Sequence, residues 1–308
     1  MTRVFVTGMG LITGLGTRVG ECFDAVLRGE TAARPVDRFV SEGFDVPVAA
    51  PADRARVLEE VGDSKLPFVS ALIVHCARQA LTQAGLSEPL GGIPLFVANT
   101  IGSPEASERP GGWSFADPAA PETVERYGQS PLVARAAEAL GARGRVDVVG
   151  NTCAAGNYAI GLGLEEIRRG RAKRALVGGA EELSVLPFCA FSQLRAIGDP
   201  CRPFDRARNG MLFGEGGAML VLESEESMRD RGAKPLAEVL AVGYSNDAYH
   251  LVAPDPAGRG LERALRQVLD NAPLSSIDYV NAHGTGTELN DAAEAQTLCR
   301  VFGTSISV

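Results

Sequence analysis

The stretch Arg145-Val-Asp-Val-Val-Gly-Asn-Thr-Cys153-Ala-Ala-Gly-Asn-Tyr-Ala-Ile-Gly161 joins two kinds of patterning. Val146, Val148 and Val149 form a short apolar run suited to a buried strand, and Gly150 and Asn151 break it. A run of small residues at helical length follows. The stretch reads as strand, tight turn and helix, with Cys153 at the turn. A helix N-terminus carries unpaired N–H groups and partial positive charge, so it favours an anion. A thiol held there loses its proton more readily and becomes a nucleophile. A free thiol has a pKa of about 8.5, and a helix terminus contributes roughly 0.3–2 kcal/mol, or about one pKa unit. That raises the thiolate fraction at neutral pH to about a quarter, which leaves room for a histidine to assist.

The other cysteines, Cys22, Cys76, Cys189, Cys201 and Cys299, read as core filling, because free cysteine is among the most buried residue types. None has a CxxC partner, so no metal site is expected. The chain has 308 residues, 45% hydrophobic and 22% charged, an ordinary globular composition sufficient for one large domain or two fused ones. A net charge of −8 disfavours bulk nucleic-acid binding. No apolar run reaches the roughly 18 residues of a membrane span. The opening Met1-Thr-Arg-Val-Phe-Val-Thr-Gly8 lacks a signal-peptide core and reads as a first strand. Scattered cysteines without a disulfide framework fit a reducing cytoplasm.

Strands alternate with helices along the chain, which argues an α/β sheet with helices on both faces. The patterning predicts strands over 4–7, 94–98, 146–149, 175–178, 211–222, 236–242 and 277–280. It predicts helices over 19–27, 68–81, 132–140, 154–169, 261–269 and 291–300. The stretch 102–121, rich in Gly, Pro and Ser and holding Trp113, reads as a loop excursion. A polar linker over 229–235 suggests two halves, 1–232 with the nucleophilic cysteine and 233–308.

The second constellation is Asn281-Ala-His283-Gly-Thr285-Gly-Thr287-Glu-Leu-Asn-Asp291-Ala-Ala-Glu294. It follows the expected strand 277–280, so His283 falls at a strand's C-terminal end, where α/β proteins collect their functional groups. Histidine suits proton transfer and hydrogen-bond donation near neutral pH. His75 falls inside a helical pattern and reads as structural, and His250 falls in a loop.

These motifs, with Pro203-Phe204-Asp-Arg-Ala-Arg-Asn-Gly-Met-Leu-Phe-Gly-Glu-Gly-Gly217 between them, resemble the β-ketoacyl-[acyl-carrier-protein] synthases over nearly the whole chain. The resemblance implies a thiolase-like layered α/β fold, two mixed sheets with helices between and outside, the second half incomplete. It implies decarboxylative condensation of an acyl thioester with a malonyl-type thioester in fatty-acid or polyketide synthesis. Cys153 would be the acyl-accepting nucleophile, and His283 the donor to the enolate oxygen during decarboxylation. Thr285, Thr287 and Phe204 would contact substrate. Asp291 and Glu294 would order the active-site network; read without the family, they are the solvated acids of a helix first turn. The family uses no cofactor: substrates arrive on the phosphopantetheine of acyl carrier protein or on CoA. Acyl carrier protein is an expected partner, and the family associates as homodimers or as heterodimers with a related subunit.

The sequence departs from the family in places. Thr152-Cys153-Ala154 replaces the commoner Ala-Cys-Ser, and Asn209 stands where Asp is usual. A Lys-containing stretch, a second catalytic histidine and a Gly- and Phe-rich loop are expected after residue 308, so the chain reads as a fragment or as one part of a split enzyme, weak or inactive alone. The basic run Arg168-Arg-Gly-Arg-Ala-Lys-Arg174 suits a helix C-terminus, or a docking patch for an acidic carrier. Two other classes compete. One is a non-condensing, chain-length-factor-like subunit of the same fold, against which Cys153 argues. The other is a dinucleotide-dependent oxidoreductase, for which Thr7-Gly-Met-Gly10 is a weak signal because its spacing is not GxGxxG.

Overall fold

The computed structural model describes residues 2–39, 41–103, 128–272 and 276–308. The expected excursion over 102–121, Trp113 included, lies outside the described residues from position 104 onward. The strands are β1 (Val4–Ile12), β2 (Arg34–Pro35), β3 (Val48–Ala50), β4 (Leu95–Ala98), β5 (Val146–Val149), β6 (Arg174–Glu181), β7 (Phe213–Gly214), β8 (Gly216–Ser224) and β9 (Ala237–Glu238). The helices are α1 (Val19–Leu27), α2 (Arg54–Val61), α3 (Phe68–Gln83), α4 (Gln129–Ala139), α5 (Ala155–Arg168), α6 (Val185–Gln193), α7 (Glu225–Asp230), α8 (Arg259–Asn271) and α9 (Glu288–Phe302). The α/β class expected from the alternation is the class observed.

Compactness divides the chain into two units. The first comprises Met1–Phe39, Ala49–Leu186 and Gly214–Val239; the second comprises Val40–Val48, Pro187–Phe213 and Leu240–Val308.

The first unit is built on a six-stranded mixed sheet of order β5-β4-β6-β8-β1-β9. β4 runs parallel to β5 and β6, whereas β8 is antiparallel to β6 and β1. Side chains alternate across each strand, so neighbours serve opposite layers. On β6, Leu176 belongs to the core cluster around α3, while Val177 lies against Gly163 of α5. The two helices therefore cover opposite faces of the sheet. α3 is buried along nearly its whole length, from Phe68 to Leu81. It lies directly on β1: a Cβ at Gly8 would sit 2.0 Å from the Ala80 carbonyl oxygen, and one at Gly10 would sit 1.9 Å from that of Cys76. These glycines permit close approach of helix and strand within an extended segment. That accounts for the motif that superficially suggested a dinucleotide site.

The second unit pairs α8 with α9 and contains the loops that precede them. Here the sequence expectation needs correction. Residues 277–280 do not form a ladder strand; only an isolated parallel bridge joins Tyr279 to Ser307, with Val280 N–H donating to the Ser307 carbonyl at 2.9 Å. Residues 236–242 contribute only β9, which extends the edge of the first sheet beside β1. A strand exists through its neighbours' hydrogen bonds, and local apolar patterning cannot supply them.

The first unit also buries an ion cluster. The Glu223 side chain is fully buried and accepts hydrogen bonds from Arg174 Nε at 2.7 Å, Arg231 Nε at 2.8 Å and Ser227 Oγ at 2.7 Å. Burial alone would push its carboxyl pKa up, but these donors outweigh it and hold the pKa down, at about 2. A depressed folded-state pKa means stability that is complete above the ordinary carboxylate range and is lost as pH falls toward 2. Glu223→Gln leaves two guanidinium groups without their anion and is expected to cost about 3–5 kcal/mol at neutral pH. Urea unfolding from pH 7 to pH 3 should show the gap between wild type and variant narrowing once the pH falls below about 4.5.

Candidate active site

Cys153 lies in the first unit, where the C-terminal ends of parallel strands β4, β5 and β6 meet. After β5 the chain makes a single 3-10 turn, Thr152–Ala154, which runs straight into α5. The thiol thus stands at a helix N-terminus, as the patterning predicts, and its residue is exposed. The turn is strained. Thr152 has φ +48°, in the left-handed region that a β-branched side chain rarely adopts, at a cost of about 1–3 kcal/mol. The Thr152 carbonyl accepts hydrogen bonds from the Ala155 N–H and, at 3.2 Å, from Thr100 Oγ1. A groove of about 900 Å³ flanks the turn, lined in part by Val148, Gly150, Asn151, Tyr158 and Leu162.

Behind this turn lies a polar cluster that the sequence reading did not single out. Glu181, at the end of β6, accepts from the Thr100 N–H and from Asn99 Nδ2 at 3.1 Å. Burial pushes the Glu181 carboxyl above its ordinary range, and the donated backbone N–H groups pull it back only in part. Fully buried Asn99 also donates to the Ala180 carbonyl at 3.0 Å and accepts from Gly102 N–H at 2.9 Å. The available signal was positional: polar residues directly past two apolar strands, at the edge where α/β sites form.

In the second unit the structure brings together the six remaining residues named from the sequence. Asp291 and Glu294 stand in the first two turns of α9, yet both are buried, at 2% and 7% exposure. Glu294 Oε1 accepts from His283 N–H at 2.7 Å, and its Oε2 accepts from Gly284 N–H at 2.9 Å. Asp291 Oδ1 accepts from Gly286 N–H at 3.1 Å, and its Oδ2 accepts from Phe204 N–H at 2.7 Å. The pair is therefore not a solvated first turn. Four backbone donors of two loops, at Phe204 and over 283–286, end on two carboxylates. The Thr285 and Thr287 hydroxyls lie 2.9 Å apart. Gly286 has φ +77°, and a Cβ there would sit 2.4 Å from the Gly210 carbonyl oxygen, so the loop needs glycine at this position. Phe204 itself has φ +64° and is held at that angle by the bond to Asp291.

Several competing groups are placed elsewhere. His75 is buried and its Nε2 lies 3.1 Å from the Thr17 carbonyl, a structural role as expected. His250 Nδ1 accepts from Val252 and Ala253 N–H at 3.2 and 3.1 Å within its own loop. Cys22 and Cys76 are core residues, and burial pushes the Cys76 thiol up to about 12. The core reading fails for Cys201 and Cys299, which are exposed, and for half-buried Cys189. Cys201 lies in a loop, and Cys299 sits on α9 away from the buried positions Asp291, Glu294 and Leu298. Four of the five cations of the basic run pair in place: Arg169 with Glu165, Arg171 with Glu166, Lys173 with Glu226 and Arg174 with Glu223. That favours its helix-terminus reading over a free docking patch. Among the described residues no group of His, Cys, Asp and Glu could hold a metal ion, and no helix is long and apolar enough to cross a membrane.

Comparison with known proteins identifies the family. The family model for the β-ketoacyl synthase N-terminal domain matches residues 1–227, and that for the C-terminal domain matches 236–307. The chain belongs to the β-ketoacyl synthase family. It is 36% identical to Nodulation protein E of Rhizobium meliloti over 98% of its own length and 77% of that protein's. It is 31% identical to 3-oxoacyl-[acyl-carrier-protein] synthase 2 of Mycobacterium bovis, over 97% of this chain and 76% of the relative. Among solved structures it is similar to the ishigamide ketosynthase/chain length factor, with a TM-score of 0.86 and 34% identity over 99% of this chain and 79% of that one.

The carboxylate clamp can be tested directly. In Glu294→Gln, the amide NH2 must face one of the two N–H donors that the carboxylate now accepts. Leaving a buried donor unpaired costs about 1–3 kcal/mol. Hydrogen exchange read by mass spectrometry should show the amides of His283 and Gly284 losing protection in the variant, while those of α3 keep theirs.

Proposed function

We propose that Cys153 and His283 carry the decarboxylative condensation of the β-ketoacyl synthases, in fatty-acid or polyketide synthesis. The Cys153 thiolate attacks the carbonyl carbon of an acyl thioester. The new S–C bond forms, the carbonyl pair moves onto oxygen, and the Cys153 N–H faces that charge. As the oxygen pair re-forms the carbonyl, the old C–S bond breaks, the carrier sulfur leaves as a thiolate with the pair of that bond, and an acyl-cysteine remains. A malonyl-type thioester then loses carbon dioxide; the pair from the broken C–C bond becomes an enolate, whose oxygen accepts a hydrogen bond from the His283 imidazole. The enolate carbon attacks the acyl-cysteine, and Sγ leaves with its electron pair. Thr285, Thr287 and Phe204 contact the substrate arm, and Asp291 and Glu294 hold the backbone that carries His283.

The observation that carries this reading is the exposed thiol of Cys153 in a strained turn at the head of α5. The division into halves at residue 232 is supported by the gap between the matched family domains, 228–235. Acyl carrier protein is the carrier partner in this reading, and a second subunit of the same fold, identical or related, completes the assembly. Six free cysteines suit a reducing cytoplasm. His75 is buried in a structural hydrogen bond and His250 accepts from backbone N–H groups of its own loop, and condensation by these 308 residues alone is expected to be weak.

The half-reactions separate the alternatives. Incubation with an acyl thioester should add one acyl mass to the chain, and Cys153→Ala should abolish it. A non-condensing, chain-length-factor-like subunit would give no adduct in either. Decarboxylation of a malonyl thioester should fall about 10²–10³-fold in His283→Ala, the usual cost of a lost oxyanion donor. Unchanged decarboxylation would overturn the role of His283.

A further inference from the structure

Cys153 offers a substrate two groups, its sulfur and its backbone N–H, and the second has to be aimed. The peptide joining Thr152 to Cys153 is planar and trans, so the Cys153 N–H points opposite to the Thr152 carbonyl. Fixing that carbonyl fixes the N–H. The carbonyl accepts from Thr100 Oγ1 at 3.2 Å, across 52 residues of sequence. Thr100 is itself held through its backbone. Its N–H donates to Glu181, and its carbonyl accepts from Gln129 Nε2. The second Glu181 oxygen takes Asn99 Nδ2 at 3.1 Å, so residues 99 and 100 are tied to the end of β6.

The geometry points to Thr100 and Glu181 as positioning residues that lock the 152–153 peptide plane and so aim the Cys153 N–H at the oxygen of a bound acyl thioester. The inference rests on Cys153 being the acyl acceptor. Neither residue touches substrate in this account; both act through the Thr152 carbonyl. The strain at Thr152 makes such a lock necessary, since a β-branched residue at φ +48° relaxes toward negative φ unless its surroundings hold it, and relaxation turns the peptide plane.

Two reactions of the same thiolate distinguish aiming from ionisation and from folding. Iodoacetamide alkylation forms an S–C bond and releases iodide, with no charge developing on a carbonyl oxygen at the carbon attacked. Acyl transfer puts negative charge on the oxygen that the Cys153 N–H faces. Thr100→Val removes the hydroxyl and keeps the shape. Glu181→Gln turns an amide NH2 toward a donor. In both variants the rate of acyl-adduct formation at Cys153, followed by mass spectrometry, should fall about 10–10²-fold, as expected for a misplaced oxyanion donor. Alkylation of Cys153 should stay within about twofold of wild type across pH 6–9, because the helix terminus that sets thiol ionisation is untouched. Thr100→Ser should restore acyl transfer. Wild-type acylation in Thr100→Val, or equal loss of acylation and alkylation, would overturn the inference while leaving Cys153 as nucleophile. An unacylated wild type, or an acylated Cys153→Ala, would instead overturn the reading on which it rests.

Discussion

A turn that presents a reactive group cannot also complete its own backbone hydrogen bonds, because the conformation that exposes the side chain takes the N–H groups out of any ladder or helix. In water those groups would be solvated; at a partly buried site they need acceptors from the protein. This chain supplies them with carboxylates. Glu181 accepts the Thr100 N–H behind the Cys153 turn, and Asp291 and Glu294 together accept four backbone N–H groups around His283 and Phe204. Glu215, also buried, accepts from the Ala52 and Leu183 N–H groups in the first unit and pairs with Arg38. A carboxylate has two acceptor oxygens, so one side chain fixes two points of a loop at once. The loops keep their irregular shape because these anions are in place, and the anions tolerate burial because the loops donate to them.

The elements that were legible in the sequence are those whose geometry is local. The apolar run at 146–149, the break at Gly150 and the small-residue helix after Cys153 specify a strand-end thiol from about a dozen residues. The stripe on α3 predicted its burial for the same reason. Residues whose meaning depends on distant partners were not legible from local pattern, and Asp291 and Glu294 were reached only through the family resemblance. Asp291 and Glu294 look identical, in sequence, to acids of a solvated first turn; only the return of 283–286 over them makes them buried acceptors. Thr100 and Glu181 are 81 residues apart and carry no motif. The basic run over 168–174 was half legible: its partners Glu165 and Glu166 are on the same helix, but Glu223 and Glu226 come from β8 and α7. The strand expected over 277–280 failed in the opposite sense, because an apolar pattern is necessary for a ladder but does not provide its neighbours.

The cysteines make the same point about chemistry. Cys76 and Cys153 have the same thiol, and the fold separates them by environment alone. Burial raises the first to about 12, where it is a packed methylene-like group under the sheet. The second stands exposed at a helix terminus, in a turn whose strain persists because surrounding hydrogen bonds over-determine it. The setting of residue 153 is thus a property of the strand ends around it. Three consecutive parallel neighbours, β5, β4 and β6, contribute the turn, the hydroxyl and the carboxylate in that spatial order. A parallel sheet makes this arrangement available because all its strands end on the same edge. Had β4 run the other way, Thr100 and Glu181 would lie at opposite ends of adjoining strands, and no single hydrogen-bond chain could reach the Thr152 carbonyl. Sheet direction, set by the crossover helices, is the level of structure at which a cysteine in this sequence stands exposed at a strand end rather than packed in the core.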